Sequence, residues 1–264
     1  LSLNWRHDRH NRYENHDSWR AGLTGKLRPG LTGKLLYGTS FKAPNAFQLY
    51  GQPLYTGDVL GNPGLMPETA RTLEAQLSWQ LDSDWLLNLT AYRIEVEQLI
   101  ELQPFGINQR WSNRGGQQGH GLASELRWIG GAHELALSTT WQDTQVRLEQ
   151  PLSTTVEVPT ASAPRLLAML EWRYRLEQAE LGVAGRHVSE RRASDSNIDL
   201  NLAQVYTLPS YQVVRVHALR ELGAHRLGLV LDNALDTRFE EPGYGGGDLP
   251  GAGRRVWLSW SWQP

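Results

Sequence analysis

The sequence predicts an all-β chain, a transmembrane antiparallel β-barrel with about twelve strands present. Three observations predict it. Apolar and polar residues alternate with period two through a dozen segments, each near the ~9–11 residues that carry a tilted strand across a bilayer. The connections alternate between short and long, as they do in outer-membrane barrels. Eleven tryptophans and nine tyrosines stand against four phenylalanines, and Trp and Tyr collect where a membrane meets water.

The 264 residues carry a net charge of −2, a mean hydropathy of −0.48 and no cysteine. No run approaches the ~20 apolar residues of a spanning helix. A barrel has no such run either, because its lipid-facing and lumen-facing residues average to a polar composition. A chain without cysteine suits an oxidising periplasm. No signal peptide precedes Leu1, which starts in mid-pattern, so the sequence reads as a mature or truncated product. A soluble sandwich or propeller would also alternate, but it has no reason to segregate loop lengths or to place tryptophans at strand ends.

The first segment sets Leu1, Leu3 and Trp5 against Ser2, Asn4 and Arg6. The second sets Trp19, Ala21 and Leu23 against Arg20, Thr24 and Lys26, and the turn Arg28-Pro29-Gly30 feeds the third, with Leu31, Gly33, Leu35 and Tyr37 on one face. That strand breaks at Ala43-Pro44, since a proline cannot donate to a ladder and pushes the residue before it towards extended geometry. About 25 irregular residues follow, a length more often functional than structural. From Thr72 the alternation is clean: Leu73, Ala75, Leu77, Trp79 and Leu81 oppose Thr72, Glu74, Gln76, Ser78 and Gln80. Asp82-Ser83-Asp84 turns the chain into Trp85, Leu87, Leu89 and Ala91, after which the apolar phase slips to Ile94 and Val96. A bulge or an exit from the bilayer band would account for the slip. A hairpin tip is expected at Gln103-Pro104-Phe105-Gly106, with a strand returning from about Asn108 to Trp128. Leu135 to Trp141, Leu166 to Tyr174, Leu181 and Val183, Val214 to Ala218, Leu227 to Leu231 and Val256 to Trp262 complete the set. Short turns at 28–30, 82–84, 130–132, 176–178 and 221–225 thus alternate with long connections at 8–17, 41–69, 149–163, 190–209 and 236–252, the hairpin at 103–107 being the one short member of the second group.

Three stretches carry a family resemblance. Tyr37-Gly-Thr-Ser-Phe-Lys-Ala-Pro-Asn45, then Gln48-Leu-Tyr-Gly51, then Asn62-Pro-Gly-Leu-Met-Pro-Glu68 form the first. Tyr92-Arg-Ile-Glu-Val-Glu-Gln-Leu-Ile100 is the second, and Asp232-Asn-Ala-Leu-Asp-Thr-Arg-Phe239 with Pro250-Gly-Ala-Gly-Arg254 the third. In this order they resemble signature segments of TonB-dependent outer-membrane receptors, most of all those for cobalamin (vitamin B12). The resemblance implies the C-terminal half of a 22-stranded barrel, without the plug domain and TonB box that precede it in the family. It also implies TonB as a partner, outer-membrane lipid as surroundings in a Gram-negative cell, and active transport of a large scarce solute rather than catalysis. Cobalamin is the first expectation for that solute, and a ferric siderophore or haem the second. Two departures stand out. Ala123 takes the place of a family glycine in Gly121-Leu-Ala-Ser-Glu125, and Trp262, followed by Gln263-Pro264, stands where outer-membrane barrels usually end on Phe.

By position in the long connections, Tyr50, Tyr55, Asp58, Asn62, Arg110, Trp111, Tyr206 and Tyr244 are the expected ligand-contacting rim; aromatics with a polar tip stack and hydrogen-bond at modest entropic cost. No cofactor is expected. His7, His10 and His16 cluster beside Asp8, Glu14 and Asp17 without metal spacing, which reads as hydrated surface, and calcium is not indicated because no EF-type loop is present. His187 and Ser189 share an outward face, the pattern of a lipid-hydrolase nucleophile, but Glu190-Arg191-Arg192 follows and the nearest downstream Asn is Asn197, so the pair reads as solvated. Arg20, Lys26, Lys34, Arg127, Arg173 and Arg175 fall on the lumenal phase with Glu74, Glu125 and Glu171 as candidate partners. Nothing resembles a phosphate loop or a nucleic-acid patch. The reading from a different class is a stand-alone twelve-stranded porin, adhesin or lipid hydrolase.

Overall fold

The computed structural model describes residues 1–11, 15–149, 155–200, 204–243 and 246–263. Twelve strands form one continuous antiparallel path: β1 Ser2–Asp8, β2 His16–Arg28, β3 Leu31–Lys42, β4 Glu68–Gln80, β5 Trp85–Glu97, β6 Gly116–Gly130, β7 His133–Glu149, β8 Leu166–Leu176, β9 Ala179–Val188, β10 Tyr211–Leu222, β11 His225–Asp232 and β12 Arg255–Trp262. Each pairs with its neighbours in sequence, and a further short strand, Thr155–Pro159, pairs with the far end of β7. β1 pairs with β2 and β12 with β11 only, so the sheet is open among the described residues. In hydrocarbon such an edge leaves backbone groups unsatisfied, and both edges require strand partners there.

The loop asymmetry is stricter than the sequence suggests. Connections 29–30, 81–84, 131–132, 177–178 and 223–224 are short, and 9–15, 43–67, 98–115, 150–165, 189–210 and 233–254 are long, without exception. The exception expected at 103–107 disappears because no strand runs unbroken from Asn108 to Trp128. Ile100–Phe105 and Asn108–Asn113 form a separate hairpin, and β6 starts at Gly116. The phase slip at Ile94 and Val96 is not a bulge either. β5 keeps an uninterrupted register with β4 and β6 out to Glu97, so β5 extends past the apolar band. The one register shift in β2–β3 lies at Lys26/Arg28, beside the short turn. There Gly30 has φ +75°, and a Cβ on it would lie 2.4 Å from the Gln80 carbonyl oxygen, so only glycine closes this turn against β4.

The sheet inverts the burial of a soluble protein. Along β4 the apolar row is exposed (Leu73 48 %, Leu77 42 %) while the polar row between is half-buried, so the sheet curves towards its polar side and crowds those side chains. Buried apolar residues lie instead in the long connections or at the strand ends that feed them: Leu49, Leu65, Ile100, Val188, Ala193, Ile198, Leu208 and Tyr211. The hydrophobic core of this chain is in its loops.

The polar face is laced with ion pairs near the short turns. Glu134, its side chain 5 % exposed, meets Arg127 at 2.9 Å, Arg173 at 3.0 Å and Arg175 at 3.2 Å. Glu180 joins Arg175 at 3.1 Å and His217 at 3.2 Å. Of the pairings expected from phase, Arg173–Glu171 forms at 3.3 Å. Glu74 and Glu125 form none among the described residues, nor do Arg20, Lys26 and Lys34, because register sets them opposite neutral side chains such as Gly38, Thr32, Gln76 and Tyr92.

Candidate functional site

At the long-loop end, two pairs of loops knit into compact units. The first joins 43–67 with 98–115. Its helix α1, Ala46–Tyr50, is opened by a capping box: Asn45 accepts from the Gln48 backbone N–H, and Gln48 accepts from the Asn45 N–H, each at 2.9 Å. Val59–Leu60 pairs in parallel with Asn108–Asn113, adding a third strand to the hairpin. Leu49, Leu65 and Ile100 pack together under Trp111. Polar side chains fix the loops to one another. Asn108 accepts from Gly57 N–H (2.9 Å), Asn62 donates to the Trp111 carbonyl (2.9 Å), and Asn113 accepts from Met66 N–H (2.7 Å) while donating to the Met66 and Gln98 carbonyls. Glu68 ties the unit to the sheet, accepting from Ile100 N–H and from Lys42, both at 2.9 Å. The Leu54 and Val59 amides both donate to Asp58, which holds its carboxyl below the usual range.

The second unit joins 189–210 with 233–254. Arg191–Arg192 pairs with Thr207–Leu208, and Glu240–Glu241 with Leu249–Pro250. Arg191 donates to the Glu240 carbonyl at 2.7 Å and to Glu241 Oε2 at 2.9 Å. At the start of α2, Asp195–Leu200, Ser194 donates to the Gly243 carbonyl at 2.6 Å. Asn197 and Tyr206 both donate to Asp248, at 3.0 and 2.8 Å. That acceptor pushes the Tyr206 hydroxyl pKa up. Burial first, then the charge of Asp195, pushes the Glu101 carboxyl up, with Arg114 opposing.

Of the rim residues expected from sequence, six fall in the first unit with different surroundings. Tyr50 and Tyr55 are exposed, at 45 % and 68 %. Asp58 and Asn62 brace the loop; Arg110 lies over the Phe105 ring at 4.3 Å, and Trp111 packs on the core. Tyr206 stands half-buried in the second unit, and Tyr244 lies outside the described residues. A search for aromatics with polar tips misses Leu54, Phe105 and Ile107, which are 89 %, 50 % and 75 % exposed. The signal for them is an apolar side chain in a glycine- and proline-punctuated loop that alternation assigns to neither face. In the first connection His7 Nδ1 meets Asp17 at 2.9 Å, and Glu14 lies outside the described residues. Among the described residues no three His, Asp or Glu side chains converge on a metal-sized site. Ser189 Oγ accepts from Leu166 N–H (3.0 Å) and donates to the Glu190 carbonyl (3.3 Å), while His187 faces Gln212 at 3.5 Å, so that pair is not joined as nucleophile and base.

The close fit of the first unit gives a prediction. A Cβ on Gly61 would lie 2.4 Å from Gly51 N and 2.7 Å from Tyr50 N, backbone atoms that cannot swing aside. Gly61→Ala should destabilise the unit by ~3 kcal/mol, the upper range for overpacking. Limited proteolysis should then cut 43–67 and 98–115 while the sheet survives; a protease pattern equal to the parent's would refute the account.

Residues 1–233 match the family described as TonB dependent receptor-like, beta-barrel. Vitamin B12 transporter BtuB from Vibrio vulnificus is 29 % identical over 140 residues, 52 % of this chain and 22 % of that protein. Among solved structures, the siderophore receptor PirA from Acinetobacter baumannii superposes with a TM-score of 0.78 at 16 % identity, covering 98 % of this chain and 43 % of its own. The ferric-catecholate import receptor Fiu from Escherichia coli K12 does so with 0.73 at 20 % identity, covering 93 % and 35 %. The chain thus spans under half the length of each of these proteins. A family match over residues 1–233, on a meander whose long loops all lie at one end, places this chain in the TonB-dependent receptor-like β-barrel family.

Proposed function

We propose that the chain is the barrel portion of a receptor in the outer membrane of a Gram-negative bacterium that imports a large, scarce solute, energised by TonB through a box ahead of this portion, and that the solute is cobalamin. The observation that carries the reading is the pair of knitted loop units at the long-loop end, with exposed aromatic and apolar side chains above a charged inner wall. Such a mouth captures a solute and does no chemistry upon it. Tyr50 and Tyr55 contact the ligand; Asp58, Asn62, Arg110 and Trp111 shape the loop that presents them; Tyr206 contacts it from the second unit, and Tyr244 is a further ligand contact. The vitamin B12 transporter among the relatives supports cobalamin.

One observation favours the second reading, a ferric siderophore. A cleft of about 360 Å³ on the inner wall below the second unit is lined by Arg186, Arg215 and Arg255 against the single carboxylate of Asp232, with Phe239 and Met169 as apolar walls. That excess of positive charge suits a ferric chelate of net negative charge.

Uptake by cells producing the complete receptor separates the two. Labelled cobalamin should accumulate in a TonB-dependent manner above receptor-null cells, and Tyr50→Ala with Tyr55→Ala should lower its affinity by ~10-fold, the effect of losing aromatic anchors worth more than 1 kcal/mol. Accumulation of a ferric siderophore instead moves the second reading to the front, and uptake of neither overturns both.

A further inference from the structure

A trough lies on the outer face near the short turns. The register aligns two neighbouring rows across β9 to β12. One is Leu181, Ala218, Leu229 and Leu258; the other, nearer the turns, is Ala179, Arg220, Leu227 and Trp260. The small side chains of Ala218 and Ala179 leave a depression between taller leucines and the indole, a trough of about 540 Å³ with Arg220 in its lining. On the outward rows of β8 to β12, Arg220 is the one Lys, Arg, Asp or Glu. It is exposed and forms no ion pair among the described residues. Its lumen-side neighbours do pair: Glu221 with Arg226 at 4.0 Å, and Glu180 with Arg175 and His217. Trp260 donates its indole N–H to His225 at 3.3 Å, and the two rings stack, which marks the aromatic rim of the apolar band.

An unpaired guanidinium on the lipid face is costly within the band and tolerated only close to the interface. Arg220 stands three residues before the turn at 223–224, near enough for its stem to lie along the trough and its head to reach the headgroup plane. An anionic phosphate there meets the planar fork of donors bidentately, in partly dehydrated surroundings where such a bond is strong.

We propose that this trough is a specific site for a glycerophospholipid of the inner leaflet, its phosphate held by Arg220 and one acyl chain lying over Ala218 between Leu181 and Leu229. The site rests on the outer-membrane reading above, because short turns face the periplasm.

Native mass spectrometry of the complete receptor released from detergent tests it. Phosphatidylglycerol and phosphatidylethanolamine should each leave one adduct that survives activation, and diacylglycerol, which lacks the phosphate, should leave none. Arg220→Gln should weaken the adduct ~10-fold, as should Ala218→Leu, which fills the trough, whereas the inner-wall variant Arg226→Gln should retain it. Each variant is first checked for heat-modifiable migration, and the diacylglycerol arm uses the parent protein, so misfolding cannot stand in for the result. Equal binding of diacylglycerol, or full retention in Arg220→Gln, overturns the site. A mass of two copies that Arg220→Gln returns to one assigns the face to self-association and overturns it too. Recovery of the receptor in a soluble fraction would instead overturn the reading beneath it.

Discussion

Arg191→Ala should release the two loops of the second unit from one another, at a cost of ~3–5 kcal/mol for stripping one partner from a buried ion pair. The side chain is 2 % exposed, bonded to the Glu240 carbonyl and to Glu241 Oε2. Its guanidinium lies 5.3 Å from the centre of the Tyr211 ring, and that ring stacks on Phe239 at 4.2 Å. Tyr211 in turn donates to the other oxygen of Glu241. Alanine would leave a cavity beside two aromatic rings, an unpaired carbonyl and a carboxylate whose remaining cation, Arg186, stands at 3.9 Å. Glu241 is 40 % exposed and recovers part of its hydration, so the lower end of the range is expected. Amide exchange at Ala193 and Gly251 should accelerate, since each amide donates within the unit, to Tyr206 and Phe239. Arg191→Lys should recover only part, because a point charge cannot bond both acceptors in the plane of a fork. The double variant Arg191→Met with Glu241→Gln should lie above the alanine variant, since the charge and its partner leave together. Unchanged exchange in Arg191→Ala would show that the bonds of Ser194, Asn197 and Tyr206 to the facing loop, with the strand pair inside each loop, hold the unit without Arg191.

The outward and inward phases of the sheet were legible in the sequence because they are local. Side chains alternate with period two, and sequential strands pair, so Leu73 and Trp79 declare their face without reference to anything distant. What was not legible depends on separations of some fifty residues. Gly57 bonds Asn108, and Asn62 bonds the Trp111 carbonyl; these contacts turn the expected return strand into a hairpin folded under another loop. No periodicity announces a two-residue parallel pairing such as Val59 and Leu60 with Gln109 and Arg110. Apart from Arg173–Glu171, the expected ionic partners failed for a related reason. Phase placed Arg127, Arg173 and Arg175 on the inner wall, but which carboxylate they meet depends on register. Glu134 lies directly opposite Arg173, and Arg127 sits opposite the next inward residue, Ala136. Within the long loops, proximity marks Tyr55 and Asp58 alike, and only the fold separates an exposed ring from a carboxylate consumed by its own backbone.

Glu134 carries the second large prediction. Its carboxylate sits two residues inside the strand after the turn at 131–132, and holds Arg127 of β6, Arg173 and Arg175 of β8. Through Arg175 and Glu180 the network continues to His217, so five consecutive strands, β6 to β10, are stitched on their inner side. In Glu134→Leu three guanidinium groups would confront one another across a side chain that cannot accept a bond. Breaking a buried pair costs ~3–5 kcal/mol. Arg127 and Arg175 are 54 % and 55 % exposed and regain water, so a loss of about 3 kcal/mol is expected in denaturant unfolding of the micelle-bound barrel. The variant should also acquire a salt dependence that the parent lacks. At ~1 M ionic strength the screening length falls to ~3 Å, which relieves repulsion among the arginines and restores part of the loss. Glu134→Gln, which keeps the shape and one acceptor, should fall between the two. If Glu134→Leu unfolds with the parent, hydration in the lumen is already enough for these arginines, and the inner wall is held by its ladder hydrogen bonds alone.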